Sequence, residues 1–199
     1  AKKLNPFVPK ICAVRPNMYA YEKIEGSVLS DVLTKPLFKK FLDFSLDFWK
    51  PVLLNKEKKV VFNADCKKFY RDKTFTRVQL FYQIFEKEDI NNQIINGIKV
   101  PKLESQLGKI DWDWLAEGKP VRYHGDFHFE NILVKNESFV FLDWRQDFAG
   151  HIGVGDLYYD LAKLLHGIIV NHGIITKNHY SVNWTSNRID FDLHRTQIL

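Results

Sequence analysis

One stretch constrains the fold of this chain of 199 residues more than any other. It begins His124-Gly125-Asp126-Phe127-His128-Phe129-Glu130-Asn131 and continues through the apolar run Ile132-Leu133-Val134 and the polar Lys135-Asn136-Glu137-Ser138. A second apolar run, Phe139-Val140-Phe141-Leu142, then ends in Asp143. Two short β-branched and aromatic runs around a polar turn read as a β-hairpin entered from a polar loop. A hairpin centred near residue 137 pairs Leu133 with Phe141 and Ile132 with Leu142, which sets Asn131 opposite Asp143. A slip of one residue still leaves an amide oxygen and a carboxylate at the open end of a two-stranded ribbon, with Asp126 just upstream.

Two carboxylates and an amide oxygen with no cysteine nearby make a hard, oxygen-rich site that suits Mg²⁺ better than zinc. Phosphoryl transfer uses such ions to bridge nucleotide phosphates, and a carboxylate to orient the attacking hydroxyl and accept its proton. Asp126 is spaced for the second task, Asn131 and Asp143 for the first. A hairpin with polar ends is common without any site, but the spacing of all three groups favours one.

The pattern His124-Gly125-Asp126-x-His128-x-x-Asn131, followed by Leu142-Asp143-Trp144, resembles the aminoglycoside phosphotransferase and choline kinase family. The resemblance implies an α+β, protein-kinase-like fold, here a mainly helical C-terminal lobe carrying the small catalytic hairpin. It also implies Asp126 as catalytic base, Asn131 and Asp143 as Mg²⁺ ligands, ATP as phosphate donor and a small-molecule hydroxyl as acceptor. Trp144 after Asp143, where protein kinases have Phe-Gly, favours the small-molecule branch. Downstream, Gly155-Asp156-Leu157-Tyr158-Tyr159-Asp160-Leu161-Ala162 is similar to the family's helix start. Asp156 reads independently as an N-cap, ahead of an apolar face of Leu157, Leu161, Leu164, Leu165 and Ile168. Asp160, in the first turn, complements the helix dipole, and in the family it helps hold the catalytic loop.

The opening residues read as two strands around the turn Arg15-Pro16-Asn17. By the resemblance, Met18 to Ile24 is the last small-lobe strand running into the hinge. The backbone at Glu22 and Ile24 would then meet the adenine edge, and Leu133 and Leu142 would form the floor beneath it, although plain core packing explains both leucines equally well. The implied division is a remnant of the small lobe with the hinge at 1–26 and a large lobe at 27–199. The large lobe holds the catalytic loop at 124–131 and the metal-binding segment at 139–147. A nucleotide-covering glycine-rich loop and a strand lysine have no counterpart, since Ala1-Lys2-Lys3-Leu4 reads as the tail of a helix. A missing small lobe, supplied by a longer polypeptide or lost in this lineage, would leave the chain inactive by itself.

Elsewhere, periodicity predicts two helical pieces over 27–49 divided at Pro36, and a helix over 65–85 with an apolar stripe. Residues 89 to 120 read as loop with a short helix at 111–117, and acceptor recognition is assigned to variable helices in 27–120 and beyond 165. His128 could donate to the transferred phosphate or merely hydrogen-bond the loop, and Glu130 is expected to face solvent. His151, His166, His172 and His179 fit no zinc pattern. Trp49, Trp112, Trp114 and Trp144 could box a quaternary amine, with core packing the plainer reading, and Arg145-Gln146-Asp147 could meet a sugar hydroxyl.

Two cysteines, Cys12 and Cys66, provide no disulfide framework and suggest a reducing, cytoplasmic setting. No apolar run approaches the roughly 20 residues of a membrane-spanning helix. The 29 Lys and Arg against 24 Asp and Glu leave a charge of +5, scattered without a basic block, which argues against nucleic acid as partner. Three function classes remain, in this order: a kinase of a small hydroxylated molecule such as a sugar or amino alcohol, a catalytically silent kinase-like binding or scaffolding module, and, last, nucleic-acid binding through the basic surface.

Overall fold

The computed structural model describes residues 4–170 and 172–194, apart from the side chain of His172. The predicted helix tail at 1–3 lies outside the described residues. In chain order the elements begin with β1 (Ile11–Arg15), β2 (Met18–Tyr21), β3 (Ser27–Val28), α1 (Leu29–Val32), α2 (Lys35–Phe48), α3 (Lys56–Lys67) and α4 (Lys73–Ile84). They continue with β4 (Gln93–Ile95), β5 (Ile98–Val100), α5 (Leu103–Leu107), α6 (Trp112–Leu115), β6 (Pro120–Val121), β7 (Ile132–Lys135) and β8 (Ser138–Phe141). The last are β9 (Gly155–Asp156), α7 (Leu157–Ile169), α8 (His172–Thr176), β10 (Tyr180–Trp184) and β11 (Arg188–Leu193). The fold is mixed α and β with several small sheets, and no helix among the described residues is long and apolar enough to cross a membrane. Two compact units result, one from residues up to 55 and 119–172, the other from 56–118 and 173–195.

In the first unit the predicted hairpin exists, but its register is one residue off the expected one. Asn136 and Glu137 both take positive φ, 48° and 62°, so the turn has two residues rather than four and Lys135 pairs with Ser138. Ile132 therefore faces Phe141 and Leu133 faces Val140, which sets Asn131 opposite Leu142 instead of Asp143. The sequence cue was ambiguous because Asn favours the left-handed region and Glu does not. The ribbon is also not two-stranded: β3 pairs antiparallel to β7, with Val28 opposite Leu133, where the sequence predicted the start of a helix. The strand pair β1–β2 forms as expected, with Arg15 opposite Met18 and Asn17 at φ 65° in the turn.

Pro36 divides α1 from α2 as predicted. It sits in the first turn of α2, where its missing N–H costs nothing, and Thr34 Oγ1 caps the helix by accepting from Leu37 N at 3.3 Å. Phe41, Ser45 and Phe48 recur along one side of α2 and are fully buried. The two rings join Phe7, Phe44, Phe127, Phe139 and Phe141 in an aromatic core whose ring centroids lie 5.0 to 6.3 Å apart. The core lies directly beneath the loop between β6 and β7.

In the second unit, α3 passes through a π-helical stretch, Lys68–Asp72, into α4, so the predicted helix begins at Lys56 rather than Asp65. Residues 93–100 form the hairpin β4–β5 with Asn96 and Gly97 at positive φ, where the sequence reading gave loop. Beyond α8 the chain forms β10 and β11, and the sheet runs in the order β10-β11-β4-β5, where helices were expected. The pairing of β11 with β4 is non-local and fixed in part by the Asn96 side chain, which donates to Phe191 O at 2.9 Å and accepts from Phe191 N at 2.7 Å. Local periodicity does not encode such a contact. Asp111 caps α6 by accepting from Asp113 N and Trp114 N, and the helix ends at Leu115 with Ala116 as its C-cap, short of Gly118.

Candidate active site

The loop from Arg122 to Asn131 hangs from three anchors. Asp160, fully buried in the first turn of α7, accepts from Gly125 N at 2.7 Å through Oδ1 and from His124 N at 2.8 Å through Oδ2. Trp49 Nε1 donates to the same Oδ2 at 3.0 Å, which places Trp49 in the structural core rather than in a ligand box. Burial pushes the Asp160 carboxyl up to about 6 against the pull of these three donors, so it is ionised at neutral pH. Phe127 is the second anchor, with its ring buried against Phe41, Phe48, Trp49 and Phe141. The third is Asp156, which accepts from Lys119 N at 2.8 Å and from Tyr158 N at 3.2 Å, capping α7 as predicted and tying it to β6.

Between Asp160 and Phe127 the chain turns sharply at Gly125, φ 85°. A Cβ there would lie 2.6 Å from Arg145 Cβ and 2.9 Å from the Tyr123 ring, so the turn admits only glycine. His124 is buried with Nδ1 accepting from Asp126 N at 3.2 Å, and burial lowers its pKa to about 4. It is a neutral structural histidine.

This scaffold presents Asp126. Its Oδ1 is shut off from solvent against the Lys163 ammonium at 2.6 Å. Among the described residues, Oδ2 accepts a longer hydrogen bond from Asn131 Nδ2 at 3.4 Å and lies 3.6 Å from His128 Nε2. Partial burial raises the Asp126 carboxyl, but Lys163, with His128 and Arg145, outweighs it and holds the group below the usual carboxylate range. The group is therefore a carboxylate with one oxygen committed and one available.

His128 Nδ1 lies 2.8 Å from Glu130 Oε2, and its Nε2 lies 3.2 Å from Asn131 Nδ2. With Nδ1 donating to the carboxylate, Nε2 is left to accept from the amide. The Glu130 hydrogen bond raises the His128 pKa, against a smaller lowering by burial. Glu130, expected in solvent, is thus largely covered and fixes the imidazole. The Asn131 amide nitrogen also donates to Asp126 O at 3.0 Å.

Asp143 is exposed, at φ 54°, directly after Leu142, whose N–H donates to Asn131 O at 2.8 Å. Asn131 and the exposed Asp143 stand at the ends of adjacent strands, and an amide oxygen and a carboxylate are the hard-oxygen donor types that Mg²⁺ prefers, so the residue types fit that ion. Trp144 packs on Tyr19 and Tyr21 of β2, at ring centroid distances of 5.8 and 6.4 Å. Leu133 and Leu142 are half-buried and absent from the fully buried core. The Glu22 amide is used by Lys10 O at 2.9 Å, while Ile24 lies in the irregular stretch that leads into β3 beside Leu133.

Sequence reasoning missed Lys163. Its signal was available, since it lies three residues after Asp160 on the same helix and so on the same side. A search of curated proteins and a search of solved structures each give no match. The family model described as the phosphotransferase enzyme family matches residues 68–182, a span that contains the whole loop, both strands of the hairpin, Asp143 and α7. With more than half of its length so matched, the chain belongs to the phosphotransferase enzyme family.

Proposed function

We propose that this chain transfers the γ-phosphate of ATP to a hydroxyl of a small molecule, a sugar or an amino alcohol. The observation that carries the reading is the state of Asp126: a carboxylate held ionised by Lys163, with Oδ2 left for an acceptor hydroxyl, beside the Asn131 amide that donates to the Asp126 backbone. In the transfer, the acceptor oxygen forms a bond to the γ-phosphorus while the bond from that phosphorus to the β-bridging oxygen breaks. The electron pair leaves with ADP, and the acceptor proton passes to Asp126 Oδ2. A carboxylate this acidic orients the hydroxyl well and takes its proton late, which suits a loose transition state.

Asn131 and Asp143 would hold Mg²⁺, which when bound neutralises charge on the nucleotide phosphates. His128 keeps Asn131 in register through its Nε2. In this reading residues 1–26 are the last small-lobe strands and the hinge, 27–199 are a protein-kinase-like large lobe, and the base lies between the Glu22–Ile24 backbone and the apolar surface of Leu133 and Leu142. Half-burial of both leucines and the run of the 22–26 segment into β3 support this.

The test is thermal unfolding with ATP and Mg²⁺ together and with each alone, because a ligand bound to the native state raises the melting temperature. A rise that needs both supports the reading, and a rise with neither combination refutes it for this chain.

A further inference from the structure

We infer that Lys163 is a phosphate-binding residue: its ammonium bridges Asp126 and the phosphoryl group being transferred. The inference rests on the reading just given and extends it to a residue of α7, outside the loop and the hairpin.

The site has an electrostatic demand that its loop does not meet. Asp126, Glu130 and Asp143 are carboxylates, and a nucleoside triphosphate would bring several more negative charges. His128 is not free to answer them, because Nδ1 is engaged by Glu130 at 2.8 Å and Nε2 faces Asn131 Nδ2 at 3.2 Å. Arg145, whose Cβ and Cγ lie against Gly125, adds an attraction to Asp126 that ranks behind those of Lys163 and His128.

Lys163 is the cation in direct contact with the reacting carboxylate, 2.6 Å from Asp126 Oδ1. It carries three donors on a rotatable point charge, so a bond to Asp126 leaves two N–H groups for phosphate oxygens. Its side chain is 30 % exposed, enough to reach a ligand while the stem packs. The mount is rigid: Asp160, one turn earlier on α7, locks the His124 and Gly125 amides, so a single helix fixes both the loop and the cation. An ammonium placed there meets charge that develops on the phosphoryl oxygens without reorganising.

The experiment measures dissociation constants of Mg²⁺·ADP and of the Mg²⁺ complex of a non-hydrolysable ATP analogue with an intact terminal phosphate, by calorimetry. Wild type is compared with Lys163→Met, Lys163→Arg, Asp126→Asn and the double variant Asp126→Asn/Lys163→Met. A charge-assisted contact to the terminal phosphate predicts that Lys163→Met loses about tenfold or more on the triphosphate analogue and little on ADP. Lys163→Arg recovers most of that loss. The same selective loss between Asp126→Asn and the double variant excludes simple repulsion by a bared Asp126. Equal affinities of wild type and Lys163→Met for the analogue, or equal losses on both nucleotides, overturn the inference while leaving the nucleotide site standing. Binding of neither nucleotide to wild type overturns the underlying reading instead.

Discussion

The Trp49 indole and the Asp160 carboxylate meet at 3.0 Å in the interior, and the oxygen they share also receives the His124 amide. A side chain at the end of α2 thus holds a carboxylate of α7, which holds the turn that presents Asp126. The geometry of the site depends on this buried chain of hydrogen bonds as much as on the loop itself.

Asp160→Asn tests it through the pH dependence of stability. The His124 pKa falls from 6.5 to about 4 on burial, so the native state binds fewer protons than the unfolded one between those values. Its contribution rises with pH across that window and is lost as the pH falls. Asp160 is raised from 3.8 to about 6, so the native state binds more protons there and its contribution falls as the pH rises. The two slopes oppose each other in wild type. Asp160→Asn removes one of them, so urea denaturation of the variant should show stability climbing more steeply with pH over this range. At neutral pH the variant should be less stable by roughly 1–3 kcal/mol, because buried amides lose an acceptor. An unchanged slope would contradict the assignment of the two groups.

Phe127 carries the loop into the core, where four aromatic rings surround it. Phe127→Ala should cost roughly 3–5 kcal/mol in chemical denaturation, and Phe127→Leu clearly less, since the smaller cavity can partly close. Equal and small effects of both would mean that the ring does not anchor the loop.

Gly125→Ala puts a methyl group into a left-handed turn at φ 85°, 2.6 Å from Arg145 Cβ. Strain and overlap together should destabilise the protein by roughly 2–5 kcal/mol, read from the same denaturation curves. A neutral substitution would show that the turn is looser than described.

Much of this was legible in sequence, for identifiable reasons. The hairpin, the Asp156 cap, the division at Pro36 and the family itself follow from local patterns: apolar alternation, capping chemistry and the spacing of Asp126, Asn131 and Asp143. The register was missed because a turn with Glu137 at positive φ goes against that residue's preference. The strand β3 and the pairing of β11 with β4 were missed because their partners lie far away in the chain, as with Arg188 opposite Ile94, whereas β10 and β11 pair locally with each other in a segment where helices were expected. Glu130 looked like a surface residue because the sequence alone does not show that His128 turns toward it.

The central claim is that Asp126 acts on the acceptor while Asn131 and Asp143 serve the metal-bound nucleotide. The most direct test is the affinity for Mg²⁺·ATP, measured side by side on wild type, Asp126→Asn and Asp143→Asn, with phosphate transfer followed on the same samples. The account predicts that Asp126→Asn binds within about threefold of wild type but transfers nothing, whereas Asp143→Asn loses tenfold or more in metal-dependent binding. Equal loss of binding in both variants, or full binding in Asp143→Asn, would contradict it.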